Sequence, residues 1–206
     1  MKIGSNKACQ LSPTALLDNL LTGDLGVVDV LECTEAFGLA ALERSLKMSL
    51  ASETFTQHVK SYCTWAEGNL HTLQSAREHL ILLMADIPYL EEYRGGAIQG
   101  EYARRGHAEW QETCKRFADL PFQFYHTVFD PHDLSSEEAV MGDLQDDLAD
   151  IYGDLFEGLQ AHLVGQTTDA LRIWVDSYFY HWGHHLASAL KAIDEFYRQG
   201  SKVDLE

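Results

Sequence analysis

Along most of the chain, apolar residues recur three and four positions apart, the spacing of one buried face on an α-helix. "SPTALLDNLL" begins with Ser12 as N-cap and Pro13 at the first helical position, which predicts a helix from about residue 12. Residues 29–50 predict a second, with Gly38 as its weak point. Phe55, Val59, Tyr62, Ala66, Leu70, Leu73, Leu80, Met84 and Ile87 predict a long third stripe over 53–87. Gly68-Asn69 can split it into two helices that keep one phase, and Pro88 ends it. A glycine-rich loop, "EEYRGGAIQG" (91–100), leads into a weaker amphipathic helix ending near Phe117. Residues 119–143 read as a short aromatic segment and a connector, with a turn at Phe129-Asp130-Pro131. Two strong helices close the chain at about 143–164 and 168–198, joined across Gly165. No alternating pattern predicts a strand. The expectation is an all-α fold, a helical bundle with mostly antiparallel neighbours. Residues 1–52 form a helical extension, 53–199 the bundle domain and 200–206 a tail.

The two closing helices carry the candidate chemistry. On the first, Leu144, Leu148, Ile151, Leu155 and Leu159 form the predicted seam. Asp143, Asp147, Asp150, Asp154 and Glu157 form a second stripe about 100° around the axis. Like charges four apart destabilise a helix by a few tenths of a kcal/mol each. The helix dipole compensates Asp143, Asp146 and Asp147 in the first turn but not the three deeper acids. A solvated acidic face is the plain reading. Arginines from another helix, a basic protein partner, or a divalent cation held by oxygen ligands are the others.

On the last helix, Leu171, Val175, Tyr178, Trp182, Leu186, Ala189, Ile193 and Phe196 form the predicted seam. Trp174, Tyr178, His181 and His185 form an adjacent wing. "HWGHH" (181–185) therefore puts His181 and His185 four apart on one face, the geometry of a helical two-histidine metal site, while His184 points further toward solvent. Local sequence supplies two ligands only. Asp147, Asp150 and Asp154 complete a site for Mg²⁺, Mn²⁺ or Zn²⁺ if the two helices face each other in register. The alternative is packing, with the histidines half-buried among Trp174, Tyr178 and Trp182. Gly183 would then admit a neighbouring helix.

Composition narrows the choices. The 206 residues hold 15 Lys and Arg against 32 acids, a formal charge of −17. Nucleic-acid backbones need cationic side chains, so nucleic acid and anionic membranes are disfavoured partners. Cys9, Cys33, Cys63 and Cys114 form no CxxC pair. The longest apolar run, "LILLMA" (80–85), is too short for a bilayer, and the opening residues lack the apolar core of a signal peptide. The expectation is a reduced, cytoplasmic protein of undetermined oligomeric state. No P-loop, G-x-G-x-x-G or G-x-S-x-G occurs.

"VFDP" (128–131), "DDLADIYGDLFEGL" (146–159) and "ALRIWVDSYFYHWGHHLASALKAI" (170–193) together resemble an uncharacterised bacterial family, the five-zero-six-three group of domains of unknown function. The resemblance spans roughly residues 53–198 and implies a helical, soluble bacterial protein without an assigned activity. "DDLADIYGDLF" is also similar to the carboxylate helix of all-α nucleoside triphosphate pyrophosphohydrolases, which hold Mg²⁺. That similarity implies Asp147 and Asp150 as ligands, with Glu109 and Glu112 of "AEWQET" as the partner motif. Two functional expectations follow: a non-enzymatic binding or interaction protein using the acidic flank, or a divalent-metal-dependent enzyme of the pyrophosphohydrolase type.

Overall fold

Local capping chemistry sets where the helices begin. The computed structural model describes residues 39–128, 132–133, 135 and 139–200, with side chains from residue 43. Within them run α1 (Leu39–Ala66), α2 (Leu73–Asp86) and α3 (His107–Arg116), then strands β1 (Phe124–Thr127) and β2 (Val140–Asp143). Helices α4 (Leu144–Leu163) and α5 (Thr167–Ser177), a π-helical turn at Tyr178–Trp182, and α6 (Gly183–Gln199) complete the order. Among the described residues the fold is all-α apart from one two-stranded sheet. Contacts group the chain into two compact units, 1–54 and 55–206. The second holds the end of α1 and every later element. The helix expected from residue 12, and the turn at 129–131, lie outside the described residues.

Seven of the nine residues of the expected third stripe are buried, but the stripe is broken where its two helices part. α1 stops at Ala66, Leu70 is 90% exposed, and α2 starts afresh at Leu73. A capping box explains the restart: the Thr72 hydroxyl accepts from Ser75 N–H, and Ser75 Oγ accepts from Thr72 N–H, each at 3.1 Å. His71 bridges the break, one ring nitrogen on Trp65 O and the other on Arg116 O, each at 2.9 Å. Pro88 lies in a 3₁₀ turn, Ile87–Tyr89, that ends α2.

The strands are a second departure from the sequence reading. β1 and β2 pair antiparallel, Phe124 with Asp143 through Thr127 with Val140. Each has only four residues and neither has a fully buried position, so no alternation registers in the pattern. Leu144 N–H donates to Gln123 O at 2.9 Å, feeding the hairpin directly into α4. Asp143 is the N-cap of α4, its side chain accepting from Gln145 N–H at 2.9 Å. After α4 the chain reverses at Gly165, whose φ of +83° suits glycine.

The core of this unit gathers Phe55, Tyr62, Leu80, Leu83, Leu148, Ile151, Trp174 and Trp182, all buried. Two hydrogen bonds fix α4 within it. Tyr62 Oη donates to Leu148 O at 2.8 Å, and Trp174 Nε1 donates to Leu155 O at 2.9 Å.

The last helix is not continuous, and its interruption corrects the expected wing. The π turn inserts one residue, so the eight positions from Trp174 to Trp182 advance like seven, about two α-helical turns. Both indoles therefore reach the core, and Trp182 Nε1 donates to Trp174 O at 2.9 Å. The expected wing is split: Trp174 is buried, Tyr178 half-buried and His181 exposed. What presses closest on Gly183 is Tyr178 of its own π turn. A Cβ there would stand 2.4 Å from Tyr178 O and 2.8 Å from its ring, so glycine accommodates the π turn itself.

Candidate metal centre

α4 and α6 pack in the register that brings their polar edges together. Asp147 is buried, with 7% of its side chain exposed, and its Oδ1 lies 2.8 Å from His185 Nδ1. Tyr125 of β1 donates its hydroxyl to the other oxygen of Asp147. Two turns along α4, Asp154 Oδ2 lies 2.9 Å from Nδ1 of His181, which remains 50% exposed. Between them stands Asp150. Its Oδ1 accepts from Trp110 Nε1 of α3 at 2.8 Å, and its Oδ2 lies 3.4 Å from His185 Nε2. One potential ligand atom from each of Asp150, His181 and His185 lies within 4.8 Å of the others.

Of the five residues proposed from sequence as metal ligands, the structure brings three ligand atoms together: those of Asp150, His181 and His185. It sets Asp147 and Asp154 behind the two imidazoles. His184 is exposed, beside the His185 ring. Trp174 and Trp182 pack in the core, with Phe55 edge-on to the first and stacked on the second.

The acids are not a solvated face. Asp143 caps the helix, Asp147, Asp150 and Asp154 meet histidines, and Glu157 receives Arg104 Nε at 2.8 Å. Glu109 and Glu112 are engaged elsewhere. Glu109 accepts from Gly106 N–H and Arg105, and Glu112 from Lys115. Arg105 also reaches Glu67 and the Tyr152 hydroxyl, and neither arginine pairs with Asp150 or Asp154.

The electrostatics follow from this enclosure. Burial raises Asp154 above the ordinary carboxylate value, with Asp150 and Glu157 adding to it and His181 opposing. Burial and then Asp150 raise Asp146 in the same sense. For His185, burial alone pulls the pKa down, but the Asp147 hydrogen bond and the charges of Asp150, Asp147 and Asp146 outweigh it and leave it raised. The Cys114 thiol is pushed up to about 12, first by burial and then by Asp146, Asp150 and Asp143, so it stays protonated.

Beside Asp150 and His181 opens a cleft of about 480 Å³, walled by Arg104, Arg105, Trp110 and Glu157. Gly153 forms part of its surface, and a Cβ there would meet nothing within 4 Å. Sequence reasoning missed Trp110 and Tyr125, whereas an arginine partner for the acidic stripe was foreseen and Arg104 supplies it, at Glu157. The run "FQFYHTVF" (122–129) of aromatic and β-branched residues carried the strand signal for Tyr125. For Trp110 nothing local marks the contact.

The sequence matches the domain of unknown function DUF5063 over residues 47–199. The chain belongs to this family. No activity comes with the family, which has none assigned. No curated protein matches the sequence. Among solved structures, this DUF5063 chain is similar to protein BF1032 from Bacteroides fragilis, at 17% identity and a TM-score of 0.58. The similarity covers 74% of this chain and 95% of that one, and it speaks to the fold alone. No helix among the described residues is long and apolar enough to cross a membrane.

Proposed function

We propose that this DUF5063 protein binds one divalent transition-metal ion through Asp150, His181 and His185, with Asp147 and Asp154 as positioning residues. One observation carries the reading. Each histidine has its Nδ1 on an aspartate, at 2.8 and 2.9 Å, which orients the ring and leaves Nε2 for a ligand. Metal-ligating histidines almost always donate their other ring N–H to a carboxylate, a backbone carbonyl or water, which fixes the tautomer and raises ligand basicity. The spacing agrees. Two ligands at 2.0–2.1 Å from a tetrahedral centre lie roughly 3.3 Å apart. His185 Nε2 and Asp150 Oδ2 are 3.4 Å apart, longer than an ordinary N–H···O hydrogen bond.

Two imidazoles and a carboxylate suit Zn²⁺ or another late first-row ion better than Mg²⁺, which prefers oxygen throughout. Three protein ligands leave a coordination position open, as in catalytic rather than structural zinc sites. A basic protein partner on the acidic flank has less to recommend it, because Asp147, Asp150, Asp154 and Glu157 each have a neighbour within the unit.

Metal analysis and calorimetry test the proposal. The protein is expected to bind one equivalent of Zn²⁺, Asp150→Ala to abolish binding, and His184→Ala to retain it. Unchanged stoichiometry in Asp150→Ala, or no binding by the unaltered chain, overturns the proposal.

A further inference from the structure

Resting on the metal reading above, we propose that the cleft beside the cluster takes a small oxyanion or an organic molecule bearing one, a phosphate or carboxylate. One oxygen would complete the metal's coordination and others would meet Arg104. The open coordination position is the first reason: with three protein ligands on the ion, the fourth goes to water or an anionic oxygen. The side of the cluster that can be approached is that of half-exposed His181, which lines the cleft.

The two arginines differ, and this is the second reason. Arg105 is fixed by Glu109, Glu67 and Tyr152, and its guanidinium lies 3.9 Å over the Phe156 ring, so it is wall. Arg104 meets Glu157 through Nε only, and its side chain is 77% exposed. Its two Nη groups are left in a planar fork that matches a carboxylate or phosphate. Space is the third reason. About 480 Å³ lies within the range of small-molecule sites, and Gly153 keeps the surface between α4 and the arginines clear of side chains.

Charge makes the binding conditional. Without an ion, Asp150, Asp154 and Glu157 line the cleft and repel an anion; a divalent ion on Asp150 reverses that locally. The anion therefore binds only to the metal-loaded protein.

The test uses the full chain loaded with Co²⁺, whose visible absorption reports its coordination shell, and inorganic phosphate as probe. Phosphate is expected to change the Co²⁺ spectrum saturably in the unaltered protein. Arg104→Gln should weaken that response at least tenfold and Gly153→Leu should abolish it, while both variants still bind one Co²⁺. If Co²⁺ binds but phosphate leaves the spectrum unchanged, or acts equally on Arg104→Gln, this inference fails and the metal site stands. If phosphate binds equally tightly to the metal-free protein, the metal is not its anchor and the inference also fails. If Co²⁺ does not bind at all, the metal reading and this inference fall together.

Discussion

Two glycines on α4, five residues apart, should respond to alanine in opposite directions. In a helix interior Gly→Ala gains about 1 kcal/mol from backbone entropy and propensity alone. At Gly153 nothing opposes that gain, since the space around a new Cβ is open for 4 Å. At Gly158 the same Cβ would stand 2.2 Å from Trp174 Nε1, 2.5 Å from Cδ1 and 2.6 Å from Cε2. The indole has nowhere to retreat. It is fully buried, donates to Leu155 O at 2.9 Å, lies edge-on to Phe55 at 5.6 Å, and its own carbonyl accepts from Trp182. Overpacking costs about 1–3 kcal/mol, and a buried hydrogen-bonding group left unsatisfied about 1–3 more. After subtracting the helical gain, Gly158→Ala should destabilise by roughly 1–5 kcal/mol. At about 2–4 °C per kcal/mol for a chain of this size, Tm falls by roughly 2–20 °C, whereas Gly153→Ala raises it by about 2–4 °C. Calorimetry on both variants measures the pair. A Gly158→Ala protein as stable as the unaltered chain would mean that the Trp174 indole does not lie across α4, and the α4–α5 packing would have to be redrawn.

Three further changes probe the cluster and its surroundings. Asp147→Asn, which weakens the carboxylate behind His185, should lower Zn²⁺ affinity about 10–100-fold by calorimetry while leaving one site per chain; unchanged affinity would remove Asp147 from its positioning role. Asp146 is raised above 3.8 in the fold, so the folded chain holds its proton more tightly than the unfolded one, and stability falls as pH rises from 3.8 through the raised value. Asp146→Asn removes first the cost of burying that charge and then the i, i+4 repulsion with Asp150, so it should stabilise the metal-free protein at pH 7 by a few tenths of a kcal/mol and converge with it below pH 3.8; urea titrations across that range check the sign. Buried Asp169 accepts from Gln99 N–H, Gly100 N–H and the Tyr102 hydroxyl at 2.9, 3.1 and 2.6 Å. Asp169→Ala should release the 94–102 loop, seen as faster proteolytic nicking there and a loss of about 1–3 kcal/mol.

The helical architecture was legible because burial in this fold follows α-helical periodicity. Leu144, Leu148, Ile151 and Leu155 fell on one face and are buried together. His181 and His185 were legible as a pair for the same reason. What escaped were features decided by contacts distant in sequence. Four-residue strands with no buried position leave no period to detect, so Tyr125 was overlooked. The acidic stripe was found, but its depth was not, because charge carries no sign of burial. Its acids face His181, His185, Arg104 and Trp110, which lie 27 to 53 residues away along the chain. The π turn was invisible because inserting one residue changes phase without changing composition; Gly183 was its only local mark, and glycine has several uses.

Three local rules of helix design are broken within one small region, and the three breaks meet at one set of side chains. Asp146, Asp150 and Asp154 stand four apart in a line of like charge; the last helix carries a π turn; and a glycine sits where α6 resumes. Each departure disfavours the fold slightly when taken alone. Sequences under selection for stability alone tend to remove such conflicts, and those that persist concentrate where a site needs them. Here the π turn lets Trp174 and Trp182 share the core while His181 and His185 stay on the edge facing α4. The like charges are what a cation would need from that edge. The raised pKa values of Asp146 and Asp154 are the same conflict seen from the proton's side, since a site that prefers not to hold its negative charges bare gains most from a positive ion. A purely structural role for the histidines explains their hydrogen bonds to Asp147 and Asp154. For Asp150 it offers the Trp110 hydrogen bond and an ion pair with protonated His185; a metal adds a use for the 3.4 Å between Asp150 Oδ2 and His185 Nε2 at the mouth of a cleft.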